Sequence, residues 1–147
     1  MDFKKILCPI DFSETSRAAL RTAVVLGQKL GAQLTLLHVY QPPGVALPDG
    51  IAIGGSQEMA TLARHVDDAM KQWKAEAEGL GAAGVSADTA IGQTHGEIER
   101  YAKDGGFDLI VMGTHGRTGL AHALLGSTAE KVVQRAPCAV MTVRPSL

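Results

Sequence analysis

Several things are scarce in this chain, and each scarcity removes a class of function. There are two cysteines, Cys8 and Cys138, in 147 residues. That is too few for a disulfide framework or a four-ligand zinc site, and both read as small buried hydrophobes. Phe, Tyr and Trp together make up 4% of the chain, so few rings are available to stack on bases. Neither sign of charge is in excess: 14 Lys+Arg stand against 15 Asp+Glu, a formal net charge of −1. The basic footprint of a nucleic-acid binder is missing, and so is a polyanionic tail. Long apolar runs are missing too. The apolar stretch before Asp11 is too short for a signal-peptide core. The longest stretch free of Asp, Glu, Lys and Arg, from Leu30 to Pro48, holds three prolines, two glutamines and a histidine and cannot span a membrane as a helix. A cytoplasmic protein with no membrane or nucleic-acid partner is the expectation.

The length suits one ordinary domain over residues 1–147. A hydrophobic share of 46% supplies a core. Glycine is abundant, at 17 residues, which favours recognition through backbone rather than through rings.

Strand-like and helix-like patterns alternate along the chain. Short apolar runs at Lys5–Ile10, Gln33–Tyr40, Val85–Ile91, Asp108–Met112 and Ala139–Val143 read as strands. Val85–Ile91 is weaker and alternating; the near-continuous apolar character of the others suggests a parallel sheet covered on both faces. Ser13 is a candidate cap for a first helix that stops at Gly31. Met59, Leu62, Val66, Met70, Trp73, Ala77 and Leu80 form one stripe of a long second helix, with Trp73 packed on the sheet and Asp67 and Asp68 on its solvated face. Thr94-His-Gly-Glu97 and Ser127-Thr-Ala-Glu130 fit capping boxes for the third and fourth helices. The order β-α-β-α-β-α-β-α-β, with right-handed crossovers, predicts an α/β fold with an open, doubly wound five-stranded parallel sheet and helices on both faces. Two connections, 41–55 and 114–125, are longer than the fold needs. Both follow the carboxyl end of a strand, where open α/β sheets bind ligands.

The segment richest in chemistry runs from Val111 to Thr128. A buried strand leads into Gly113 and Gly116, which allow tight turns and a close backbone approach. Gly126, Ser127 and Thr128 then open a helix, whose first amides and dipole favour an anion. This is a phosphate cradle in outline. It is neither a Walker A loop nor G-x-G-x-x-G. The plainer alternative stays open: Gly113 ends a strand, Gly126 precedes a helix, and Ser127 caps it.

Gly113-x2-Gly116-x9-Gly126-Ser127 resembles the ATP-binding signature of the universal stress protein family. The likeness extends over nearly the whole chain: Lys5-Ile-Leu-Cys-Pro-Ile-Asp-Phe-Ser13, Leu36-Leu-His-Val39, Phe107-Asp-Leu-Ile-Val-Met-Gly113, Leu124–Val133 and Ala136–Arg144 resemble that family's strands, loops and last helix. The resemblance implies membership of the ATP-binding subgroup and the strand order 3-2-1-4-5, which puts the switch point between strands 1 and 4. It further implies that Pro9, Ile10 and Asp11 border the adenosine, with Asp11 accepting from a ribose hydroxyl. Val39 then offers backbone groups to adenine, and Met112 and Gly113 lie against the sugar. Gly116, Arg117, Gly126, Ser127 and Thr128 hold the phosphates, with His115 nearby. Mg²⁺ would bridge phosphate oxygens and keep most of its waters.

Simpler roles compete for some of these residues. Asp11 could shape the turn before the first helix, and His115 and Arg117 could be solvated. His38 reads as a hydrogen-bonded core histidine. His65, His95 and His122 read as surface residues. No arrangement of nucleophile and base is visible, so no catalytic residue and no protein metal ligand is assigned. The leading reading is an ATP-binding stress-response regulator, not an enzyme, with at most slow hydrolysis, signalling to an unnamed protein partner. A slow ATPase or phosphotransferase of the same fold, and a dimeric interaction protein without nucleotide, are the alternatives. The last strand, uncharged and expected at the sheet edge, predicts a homodimer paired through it. The resemblance implies the same arrangement.

Overall fold

A computed structural model describes residues 2–41, 56–115 and 125–145. Along them run β1 (Lys5–Pro9), α1 (Glu14–Leu30), β2 (Gln33–Tyr40), α2 (Ser56–Gly79), β3 (Ser86–Ile91), α3 (Thr94–Asp104), β4 (Leu109–Gly113), α4 (Ser127–Arg135) and β5 (Ala139–Val143). The strands form one all-parallel sheet in the order β3-β2-β1-β4-β5. The expected α/β architecture and strand order are both present.

Alternation within each strand sends side chains to two cores. Ile6, Cys8, Leu34, Leu36, Leu109 and Val111 pack on one face against Ala19, Leu20, Ala23 and Val24 of α1 and Val66, Met70, Trp73 and Ala77 of α2. Leu7, Leu37, Val39, Ile110 and Met112 pack on the other against Ile98 and Ala102 of α3 and Ala129 and Val132 of α4. With both faces covered, the central strands have no polar side to show, which is why they read as unbroken apolar runs. The stripe of α2 is buried only in its middle, since Met59 and Leu80 are exposed.

Helix ends follow local chemistry. The Ser13 side chain accepts from the Ser16 amide, and Gly31 closes α1 at φ 64 with its N–H on the Gly27 carbonyl. The first-helix expectation holds at both ends. The two capping boxes do not form as expected. The N-cap of α3 is Gln93 and that of α4 is Gly126, neither with a side-chain cap bond. In α3 the reason is next door: Gly92 sits at φ 150, and Glu97 folds over it so closely that a Cβ there would lie 2.9 Å from Glu97 Cγ. Thr94 and Ser127 are therefore first helical residues rather than caps. His95 also departs from expectation, being buried rather than on the surface. It lies three residues before Ile98 and seven before Ala102, on the stripe that faces the sheet.

At the amino end of the sheet, Asp108 Oδ2 accepts from the amides of Lys4 (2.8 Å) and Lys5 (2.9 Å). One carboxylate thereby ties the start of β1 to the start of β4. No helix among the described residues is long and apolar enough to cross a membrane.

Candidate functional site at the carboxyl ends of β1, β2 and β4

β1 is flanked by β2 on one side and β4 on the other. Chain direction across the sheet reverses at the β1–β4 pair, so the crevice beyond these strand ends is the switch point. Three segments meet around it.

The first is the turn after β1. Ile10 donates its amide to the Leu37 carbonyl at 2.8 Å. Its own carbonyl accepts from His38 Nδ1 at 2.8 Å, so His38 is hydrogen-bonded as expected but half-buried rather than in the core. Asp11 then folds the turn: its Oδ1 accepts from the Ser13 amide (3.0 Å) and the Ser16 hydroxyl (2.6 Å), while its amide donates to Ser16 Oγ at 2.9 Å. This Asx-type turn gives Asp11 the loop-shaping role. Ser16, 5% exposed, is its buried counterpart. Between them Phe12 lies at φ 65, a left-handed conformation that costs a bulky residue on the order of 1 kcal/mol or more. Its ring contacts offset that cost: it packs 4.3 Å from His38 and edge-on to Trp73 at 5.6 Å. Trp73 is thus committed to the core, as expected.

The second segment is the end of β4. Met112 is buried, and Gly113 pairs in register with Val143 of β5. A Cβ on Gly113 would meet Thr15 Cγ2 at 2.5 Å and the Thr15 backbone at 3.1 Å. Here the glycine admits the start of α1, a packing demand independent of any ligand. Thr114, 3% exposed, donates its amide to the Val143 carbonyl at 3.0 Å. Its Oγ1 lies 2.9 Å from His115 Nδ1.

The third is the start of α4. The Gly126 amide donates to the Thr114 carbonyl at 2.6 Å. That amide is therefore engaged within the fold. Gly126 has φ −71 and ψ 166, a conformation open to any residue. As N-cap it brings no side chain, so no cap side chain covers the first amides of α4 at Ser127 and Thr128. Ser127 is exposed and Thr128 half-buried.

The fold therefore places Pro9, Ile10, Asp11, Val39, Met112, Gly113, His115, Gly126, Ser127 and Thr128 at or just beyond the carboxyl ends of β1, β2 and β4. Gly116, Arg117, His122 and most of the two long connections lie outside the described residues. Sequence reasoning missed Ser16, Phe12, Thr15 and Thr114. Of these only Ser16 left a signal, the Asp-x-Ser-x-x-Ser spacing of a closed turn.

The model of the universal stress protein family matches residues 2–144. The chain belongs to the universal stress protein family. Among relatives, it is 35% identical to universal stress protein MJ0531 of Methanocaldococcus jannaschii, over 97% of this chain and 82% of that protein. It is also 35% identical to YxiE of Bacillus subtilis, over 97% and 99%. The solved universal stress protein UspA from Lactobacillus plantarum superposes with a TM-score of 0.82 at 31% identity, over 98% of this chain and 99% of that one. A universal stress protein from Archaeoglobus fulgidus in complex with dAMP shares the fold, with a TM-score of 0.70 at 17% identity over 97% and 99%.

Proposed function

We propose that this universal stress protein is an ATP-binding regulator of the stress response, belonging to the nucleotide-binding members of its family. It works in the cytoplasm, and residues 1–147 act as one unit. The observation that carries the reading is the start of α4. A helix N-terminus without a cap side chain stands beside the switch point, joined through Thr114 to the end of β4. The Ser127 and Thr128 amides and hydroxyls are the donors for phosphate. Asp11, already bonded to Ser13 and Ser16, is held rigidly enough to accept a ribose hydroxyl as well. Pro9, Ile10 and Val39 border the base, and Met112 and Gly113 the sugar. His115 and, through the loop, Gly116 and Arg117 complete the phosphate side. Structures of the same fold solved with dAMP and with AMP lend support at the level of fold.

In this reading a metal enters the site with the nucleotide. Among the described residues, no group of three or more His, Cys, Asp or Glu could hold an ion. Mg²⁺ would come with the triphosphate and would supply charge neutralisation there.

The test is calorimetry with ATP and Mg²⁺ on the wild type and on Gly126→Val. Valine accepts the N-cap backbone but places a branched side chain over the α4 amides, and ATP affinity falls at least about tenfold, roughly 1.4 kcal/mol. Unchanged affinity in a folded variant sinks the reading. ADP appearing in long incubations would favour a slow ATPase instead.

Occupancy is communicated to a protein partner, and the molecule acts as a homodimer paired through β5. That strand lies at the sheet edge, carries no charged residue, and exposes Met141. Light scattering at micromolar concentration should give twice the chain mass. A freely soluble monomer rejects the dimer.

A further inference from the structure

Among the described residues, Phe12 is the only one other than glycine with a positive φ. Glycine or asparagine takes the left-handed conformation at little cost, and a residue with a phenyl ring does not. The outlier lies in the turn that Asp11 shapes with Ser13 and Ser16, just beyond β1 at the switch point. Strain of this kind persists only where the surroundings hold it, and it gathers at ligand sites.

Three elements hold it here. His38 of β2 shares a face with Leu34 and Leu36, and its ring lies 4.3 Å from that of Phe12. Trp73 of α2, 5% exposed, meets Phe12 edge-on at 5.6 Å. Arg17 of α1 stands 4.9 Å over the Trp73 ring and pairs with Glu76 of α2 at 3.2 Å. The same histidine is tied to the turn's backbone, with Nδ1 at 2.8 Å from the Ile10 carbonyl oxygen. Asp11 precedes Phe12 in the chain, and Val39 follows His38. The Phe12–His38 contact therefore joins the two segments that the nucleotide reading sets against the nucleoside. The start of α4 is fastened separately, through the bond from Gly126 to Thr114.

Resting on that nucleotide reading, we propose that Phe12 is the positioning residue of the nucleoside half of the site. Its ring, wedged on His38 and Trp73, holds the left-handed bend that fixes the Asp11 carboxylate relative to the end of β2. A carboxylate held in place accepts a ribose hydroxyl without the cost of ordering its loop. The phosphate half keeps its own support and does not depend on the ring.

The experiment is calorimetry on the full chain with adenosine, ATP and inorganic triphosphate, for the wild type, Phe12→Gly and Phe12→Tyr, with circular dichroism confirming folding. Phe12→Gly relieves the backbone and removes the ring. Its adenosine and ATP affinities fall at least about tenfold, while triphosphate stays within about twofold. Phe12→Tyr keeps the ring and stays within about threefold of the wild type for every ligand. A ring that served stability alone would move the unfolding midpoint of Phe12→Gly without this split. One readout needs no variant and decides the matter even where Phe12→Gly fails to fold: adenosine shifts the Phe12 ring resonances of the wild type and slows exchange of the Ser13 amide, and triphosphate does neither. Wild-type adenosine affinity in folded Phe12→Gly, equal losses for adenosine and triphosphate, or Phe12 resonances that ignore adenosine overturns the assignment while leaving nucleotide binding intact. A wild type that binds neither ATP nor adenosine overturns the nucleotide reading and this one with it.

Discussion

Asp11 and Asp108 do similar chemistry at opposite ends of the sheet. Each carboxylate accepts backbone amides near an end of β1. Asp108 takes two amides from Lys4 and Lys5, from a hundred residues away, and joins two strands. Asp11 takes one amide and one hydroxyl, from Ser13 and Ser16, and shapes its own turn. The amino end of the sheet is fastened across the fold. The carboxyl end is shaped locally, which lets the turn be rigid without filling the crevice beside it. A carboxylate that bridges strands serves stability, whereas one that folds its own loop at a switch point can serve both loop and ligand.

Removing the cross-fold fastening gives the largest effect. Asp108→Ala leaves two strand-start amides without a charged acceptor and should lower unfolding free energy by about 2–3 kcal/mol. Urea titration measures it, and ATP affinity should stay within about twofold. A large loss of affinity would erase the distinction between the two ends. Gly113→Ala comes next. The new methyl presses on Thr15 and should cost about 1–3 kcal/mol by overpacking. Its thermal midpoint should recover in part in the double variant with Thr15→Ser, which removes the nearest methyl. Asp11→Ala should cost about 1–2 kcal/mol of stability and weaken ATP and adenosine alike while leaving inorganic triphosphate binding unchanged. A comparable loss for triphosphate would move Asp11 out of the nucleoside site.

The smallest effect lies between the two ends, at Cys8 in the middle of β1. Burial raises its thiol pKa from 9.0 to about 12. The unfolded chain therefore loses this proton first, and the folded state, which still holds it, loses stability as pH rises from about 9 toward about 12. The slope approaches roughly 1.4 kcal/mol per pH unit once the unfolded thiol is ionised. Urea midpoints between pH 8 and 10.5 should fall less steeply for Cys8→Ala than for the wild type. Cys138, half-buried, is also raised, by burial and then by Asp108, and it should react with a thiol reagent well before Cys8.

The parts of this fold that were legible in the sequence are those determined by neighbours in the chain. The apolar runs of β1, β2 and β4 announce burial on both faces. Ser13 and Gly31 mark the ends of α1 because capping is a matter of three or four residues. The strand order came from resemblance to a family, since no local pattern encodes which strands lie side by side. What stayed hidden depends on contacts across the chain. Nothing local to Gly113 announces that the fold brings Thr15 against it. Phe12 shows no sign of a left-handed backbone, because His38 and Trp73 stabilise that conformation from other elements. His95 reads as polar and therefore outside, yet the spacing to Ile98 and Ala102 carries it inward. The cap of α3 shifted by one residue because Gly92 had already set the turn. In the candidate site, Pro9, Val39, Met112 and Gly113 lie on the strands read for them, while the bond between the Gly126 amide and the Thr114 carbonyl was not readable.

Thr114 has both of its backbone polar groups engaged by other elements: its N–H by the carbonyl of Val143, its C=O by the amide of Gly126. The two peptide planes that meet at its Cα thus join the N-cap of α4 to the last residue of β5. Each plane is rigid and only the φ and ψ of Thr114 lie between them, so a displacement of one bond is passed to the other through those two torsions. The edge strand cannot shift at Val143 without tugging on the helix start, so the rim of the sheet and the mouth of the crevice are geared together through a single residue.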